Sequence, residues 1–136
     1  MLVSEFNFSI DSKVIGNTIA SGNLSNQQIF IAFPIDAMKI LLYTPSRDSI
    51  PEQKQYLNIN KEITSLYSCR INPNLNYDVL IVGTKCSLQC YDIIENKDLF
   101  YKDMVDGVSA LAFGSVKNGE CPIIIGGGNC SILVLN

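Results

Sequence analysis

The runs Leu66-Tyr-Ser-Cys-Arg70, Val79-Leu-Ile-Val-Gly-Thr84 and Ser87-Leu-Gln-Cys-Tyr-Asp92 decide the fold. Each is four to eight residues long and rich in β-branched, aromatic or other apolar side chains, and turn-forming residues bound it, which is the signature of a strand. The middle run is wholly apolar up to Gly83 and predicts a strand buried on both faces. The third alternates and predicts a strand half-buried behind a tight turn. The same order recurs twice. Upstream it reads Ile19-Ala-Ser-Gly-Asn23, Ile29-Phe-Ile-Ala32 and Lys39-Ile-Leu-Leu-Tyr43; downstream it reads Leu111-Ala-Phe-Gly-Ser115, Pro122-Ile-Ile-Ile-Gly-Gly127 and Ser131-Ile-Leu-Val-Leu135. The anchors Ile19, Leu66 and Leu111 lie 47 and 45 residues apart. Gly83 aligns with Gly127, Cys86 with Cys130 and Ser87 with Ser131. A period of about 40–50 residues is that of a propeller blade. One four-stranded sheet cannot bury both of its faces; radial stacking can.

Outward from these runs, strands are predicted near Phe6–Ile10, Thr18–Ser21, Gln28–Ala32, Lys39–Tyr43, Ile63–Arg70, Val79–Gly83, Leu88–Asp92, Leu99–Met104, Val108–Phe113, Pro122–Gly126 and Ser131–Leu135. Propensity also allows one helical turn over Ile35–Leu42. Pro51–Asn60 is polar and reads as a loop that could hold a short helix. The fold class is therefore all-β: a partial β-propeller of about three four-stranded antiparallel blades, near residues 15–50, 60–105 and 106–136, forming one incomplete domain over 1–136. A closed propeller needs at least four blades, so the reading predicts open apolar blade faces and raw edges. Self-association through them, or further chain beyond them, follows.

Composition narrows the chemistry. The chain has 136 residues, 47% of them apolar and 17% charged, which excludes disorder. It has no His, which removes Ser-His-Asp and Cys-His catalysis. A net charge of −3 leaves no footprint for nucleic acid. The N-terminus has neither a basic segment nor a long apolar run, and no apolar stretch approaches the length of a bilayer span, so a cytosolic chain without membrane insertion is predicted. Five cysteines in such a chain read as buried, reduced thiols.

Four motifs carry candidate chemistry. Cys86-x-x-x-Cys90 lacks a second pair or a His and reads as core thiols rather than zinc ligands. Gly126-Gly-Gly-Asn129 joins two strands with no following helix or Lys, so it reads as a hairpin needing positive φ rather than a phosphate cradle. Asn72, Asn74, Asn76 and Asp78 place oxygen side chains at alternate positions, as calcium loops do. Calcium needs six to eight oxygens and several carboxylates, and only Asp78 is charged, so an Asn/Pro-stabilised turn is expected and the four residues stay a weak metal candidate. Glu95, Asp98, Asp103 and Asp106, interleaved with Lys97 and Lys102, read as a solvated face. Tyr43, Tyr91, Phe100 and Tyr101 read as blade-packing aromatics. No catalytic residues, no cofactor and no firm metal site emerge.

Several segments are more specific. Leu57-Asn-Ile-Asn-Lys-Glu-Ile-Thr-Ser-Leu66, Tyr77-Asp-Val-Leu-Ile-Val-Gly-Thr84, Asp98-Leu-Phe-Tyr-Lys-Asp-Met-Val-Asp-Gly107 and Ile125-Gly-Gly with Asn129-Cys-Ser-Ile132, together with Lys39-Ile-Leu-Leu-Tyr-Thr-Pro45, resemble the Bardet–Biedl syndrome 2 family. The likeness runs through nearly the whole chain. It departs at Asn76 and Ser109, where Gly and Asn are expected, and at an inserted Gly128. The resemblance implies the N-terminal β-propeller portion of a non-enzymatic scaffold subunit of the BBSome. It implies traffic of membrane proteins into and out of cilia, other BBSome subunits and ciliary membrane-protein cargo as partners, and a location at the cilium, its basal body and the cytoplasm. It supplies no catalytic residues. The other reading is a truncated or divergent propeller relative acting as a protein- or ion-binding module through Asn72–Asp78.

Overall fold

The computed structural model describes residues 9–10, 13–46, 49–116 and 121–136. Its architecture is all-β. Three antiparallel sheets follow one another along the chain, and each is a simple meander. The first holds β1 (Ala20–Asn23), β2 (Ile29–Asp36), β3 (Lys39–Thr44) and β4 (Gln53–Asn58). The second holds β5 (Ile63–Cys69), β6 (Val79–Thr84), β7 (Ser87–Asp92) and β8 (Lys97–Asp103). The third holds β9 (Ala110–Val116), β10 (Cys121–Gly127) and β11 (Ile132–Leu135). The opening strand of each sheet lies against that of the next, β1 against β5 and β5 against β9. Sheets of four, four and three strands stacked face to face about their first strands form a partial propeller.

Alternation along the strands builds the two cores. On β6, Leu80 and Val82 face back to the first sheet and pack with Phe30, Ala32, Ile40 and Leu42. Val79 and Ile81 face forward and pack with Leu88, Cys90 and Ile124. Side chains on a strand alternate between faces, so an unbroken apolar run fills both interfaces of a middle blade. All four of these β6 side chains are fully buried. Gly83 permits a close approach: a Cβ there would run into Ser65 Oγ and lie 2.8 Å from Val108 Cγ1. Ser65 Oγ in turn donates to Val108 O at 2.8 Å, tying the second sheet to the link that enters the third.

The pairing registers carry the repeat. Leu66 pairs with Val82 and Leu111 with Gly126; Gly83 pairs with Leu88 and Gly127 with Ile132. The second and third sheets therefore superimpose as the sequence aligns them. In the first sheet the alignment of Ile29 with Val79 is one residue out. Leu42 pairs with Ala32 and Cys90 with Ile81, which makes Phe30 the counterpart of Val79 and Gln28 the counterpart of Tyr77. A bulge between Pro34 and Asp36 absorbs the extra residue.

Other expectations need correction. Pro51–Asn60 is not a loop, because six of its residues form β4, the outer strand of the first sheet, which buries only Leu57. Ile35–Leu42 takes no helical turn. It ends β2, turns at Ala37–Met38 and enters β3, with Met38 N donating to Asp36 Oδ1 at 2.8 Å. Gly126, Gly127 and Gly128 do not use positive φ; among the described glycines only Gly107 does, at 76°. Gly128 is small for another reason: a Cβ there would collide with Gly107 O and sit 3.0 Å from Asp106 Cβ. Phe6–Phe8 of the predicted first strand lie outside the described residues, and Ser9 and Ile10 form no strand.

Candidate interaction surfaces

In each sheet the third strand points two apolar side chains forward, toward the next sheet. In the first sheet they are Ile40 and Leu42, sealed by the second; in the second they are Leu88 and Cys90, sealed by the third. Their counterparts in the third sheet are Ile132 and Val134, and these are 75% and 56% exposed. The forward face of the third sheet thus has the chemistry of a blade interface without a described neighbour. The backward face of the first sheet is only partly open: Ile19, the counterpart of the buried Leu66, is 54% exposed and Ile29 is exposed, whereas Phe33 on the same face is buried.

The candidate calcium loop lies between β5 and β6. Leu75 and Tyr77 turn inward and pack on the second core. Asn72, Asn74 and Asn76 are exposed. Asn72 Oδ1 accepts from Asn74 N at 3.0 Å, a local turn. The Asp78 carboxylate points to the first sheet: Oδ2 accepts from Asn23 N at 2.7 Å, and Oδ1 lies 3.8 Å from Arg70 Nε. Asp78 N returns a hydrogen bond to Asn23 O at 2.8 Å. The loop is in this way a clasp between two sheets, and its one carboxylate is engaged there. Among the described residues no three His, Cys, Asp or Glu side chains gather as a metal site.

Tyr77 ends in a second bond. Its hydroxyl donates to Asp92 Oδ2 at 2.9 Å, and Glu95 N donates to Asp92 Oδ1 at 2.8 Å. Asp92 is buried, and the two donors replace the water it has lost. Burial first, and the bond to Asp92 second, raise the Tyr77 pKa above its ordinary value.

The cysteines divide. Cys69 and Cys90 are buried and free, and desolvation pushes the Cys69 thiol up to about 12 and the Cys90 thiol higher still. Cys86 and Cys130 are exposed at equivalent turns, contrary to the expectation that all five thiols are buried. Their positions align in the repeat, yet a turn has no interface to fill. The side chain of Cys121 lies outside the described ones. Glu95, Asp98, Asp103 and Asp106 are solvent-exposed, as read. Phe100 packs on the second core and Tyr91 on the first, whereas Tyr101 is largely exposed and carries Lys61 Nζ 4.3 Å from its ring centroid.

A protein-family model described as "Ciliary BBSome complex subunit 2, N-terminal" matches residues 18–114, which include the first two sheets and the start of the third. The chain belongs to this family. Among curated relatives, the "BBSome complex member BBS2" of Rattus norvegicus is 32% identical over 97% of the chain. Its counterpart in Homo sapiens is 28% identical over the whole chain, and "BBSome complex member bbs-2" of Caenorhabditis elegans is 28% identical over 96% of it. The chain spans about a fifth of the length of these relatives, 20% of the rat and human proteins and 17% of the nematode one. The match to the BBSome subunit 2 family covers all of the first sheet interface and most of the second, whose Ile124, Leu133 and Leu135 lie beyond it.

Proposed function

We propose that the chain acts as a non-enzymatic scaffold, the N-terminal propeller portion of a BBSome subunit serving the traffic of membrane proteins to and from cilia. Other BBSome subunits are its partners, membrane-protein cargo is a further one, and the cilium, its basal body and the surrounding cytoplasm are where it works. The observation that carries this reading is the family match over residues 18–114 on a fold whose apolar blade faces remain open at Ile132 and Val134. Exposed apolar side chains at a blade-interface position call for a protein neighbour. The single incomplete domain over 1–136 then contributes rigid blade surfaces, and its side chains are committed to packing and inter-sheet bonds rather than to a reacting centre.

The test is affinity purification of the tagged 136-residue chain from ciliated cells, with mass spectrometry of what co-purifies. Other BBSome subunits in defined ratio are the expected result. Recovery of the chain alone, or with chaperones only, overturns the scaffold reading for this chain.

A further inference from the structure

The two inter-sheet interfaces are built on one pattern, and they differ at one point. Between β5 and β6 nine residues, 70–78, make a loop whose Leu75 and Tyr77 fill the forward side of the second sheet. Between β1 and β2 the loop has five residues, 24–28, with a turn of 3-10 helix at Ser25–Gln27. By strand pairing, Gln28 stands where Tyr77 stands and Thr44 where Asp92 stands. The shorter loop has Leu24, which packs on the first core, but no counterpart of the tyrosine ring. The space the ring would fill is a cavity of about 640 Å³, floored by Phe30, Leu42 and Thr44 and walled by Leu24, Gln28, Gln55 and Ile93.

The lining is neutral and mixed. Among the described residues Lys54 is its one charged residue, and Lys54 Nζ stands 3.9 Å from Glu52. Apolar side chains from both sheets supply a slot, and amide and hydroxyl groups lie around it. Gln28 Nε2 is buried with no acceptor among the described residues. A volume of several hundred Å³ is that of a ligand-sized cleft.

We propose that this cavity is a docking site for a partner polypeptide, which inserts a tyrosine from an uncharged loop as Tyr77 is inserted one sheet later. The ring lies between Leu42 and Ile93, and its hydroxyl meets Thr44, as the Tyr77 hydroxyl meets Asp92 one sheet later. The chain itself supplies the template: Ile71-Asn-Pro-Asn-Leu-Asn-Tyr77 is uncharged and fills the equivalent space. The site stands whichever assembly the chain joins, so its failure and that of the scaffold reading are separable.

The probe is the end-blocked peptide Ile71–Tyr77, titrated into the isotope-labelled 136-residue chain and followed by amide chemical shifts. Saturable shifts at Leu24–Gln28, Thr44, Gln53–Gln55 and Ile93–Ile94 are expected, with Kd below about 1 mM. The peptide with Tyr77→Ala should bind at least about tenfold more weakly. In the chain, Ser25→Trp should abolish the shifts by filling the mouth. If that variant does not fold, contacts between the peptide's tyrosine ring and the Leu42 and Ile93 methyls of the unaltered chain decide. No saturable shift, equal shifts with both peptides, absence of those contacts, or shifts confined to the open third sheet would each overturn the proposal.

Discussion

Leu88 and Ile132 occupy the same position in successive repeats, and truncating each to Ala should give very different results. Leu88 is fully buried between the second and third sheets, whereas Ile132 is 75% exposed on the forward face of the third. Removing a fully buried Leu side chain costs about 2–5 kcal/mol, transfer and cavity together. Leu88 touches a tightly packed cluster that includes Val108 and Ile124, so a value near 3 kcal/mol is expected. Full burial of an Ile is worth ~2–3 kcal/mol. About a quarter of the Ile132 surface is covered, so Ile132→Ala should cost about 0.6 kcal/mol or less in the isolated chain.

The chain has no Trp, so urea unfolding is best followed by far-ultraviolet circular dichroism, with tyrosine fluorescence as a second probe. Two protein concentrations about tenfold apart separate folding from association, because a covered interface makes the midpoint concentration-dependent. The expected outcome is a large, concentration-independent shift for Leu88→Ala and almost none for Ile132→Ala. An equal loss for both, unchanged by dilution, would refute the open forward face and with it the blade-by-blade comparison. A loss for Ile132→Ala that appears only at high concentration would locate a self-association surface there.

Asp78→Ala removes the acceptor of Asn23 N and the partner of Arg70, and should lower stability by about 1–2 kcal/mol while speeding hydrogen exchange at the Asn23 amide. Gly83→Ala places a methyl against Ser65 Oγ and Val108 and should cost about 2 kcal/mol by the same unfolding assay. Raised folded-state pKa values bind protons more tightly than the unfolded chain does, so stability should fall as pH rises from about 9, the ordinary thiol value, through 12 for Cys69. The slope is about 1.4 kcal/mol per pH unit for each shifted group, and Cys69→Ala should flatten it. Alkylation followed by peptide mass mapping should label Cys86 and Cys130 in the folded chain and reach Cys69 and Cys90 only on unfolding.

What the sequence made legible depended on how completely a strand is buried. β6 reads directly from Val79-Leu-Ile-Val82 because both of its faces meet a core, and its echo in the third sheet survives in the pairing register. β4 did not read. Gln53-Lys-Gln-Tyr-Leu-Asn58 is an outer strand that buries one side chain, so its residues follow solubility rather than strand propensity. β8 is an outer strand too, but Phe100 and Tyr101 marked it. The calcium-loop pattern was visible as alternating oxygens; that Asp78 reaches across to Asn23 was not, because the partner is 55 residues away. The cavity beside Gln28 was hidden for a related reason. It arises from a loop-length difference read against a register that one bulge displaces, and neither shows until strands are paired.

The distribution of charge along the strands gives the exposed surfaces a direction. Outer strands are the natural templates for unwanted pairing, and charge on them blocks it. β4 carries Lys54, and β8 carries Lys97, Asp98, Lys102 and Asp103, so the rim of the first two sheets resists edge-to-edge growth. β11 runs Ile132-Leu-Val-Leu135 with no charge at all, and two of its side chains lie on the open forward face. Among the described outer strands β11 is therefore the one without charge to block pairing. A neighbour that stacks on Ile132 and Val134 would repeat the packing that Leu88 and Cys90 make one sheet earlier, burying apolar surface on a scaffold already shaped for it. Lysines placed at Ile132 and Val134 would extend the rim's protection to this end. They should leave the two internal cores intact and remove any association through that face, which size-exclusion chromatography of the doubly substituted chain against the unaltered one would read directly.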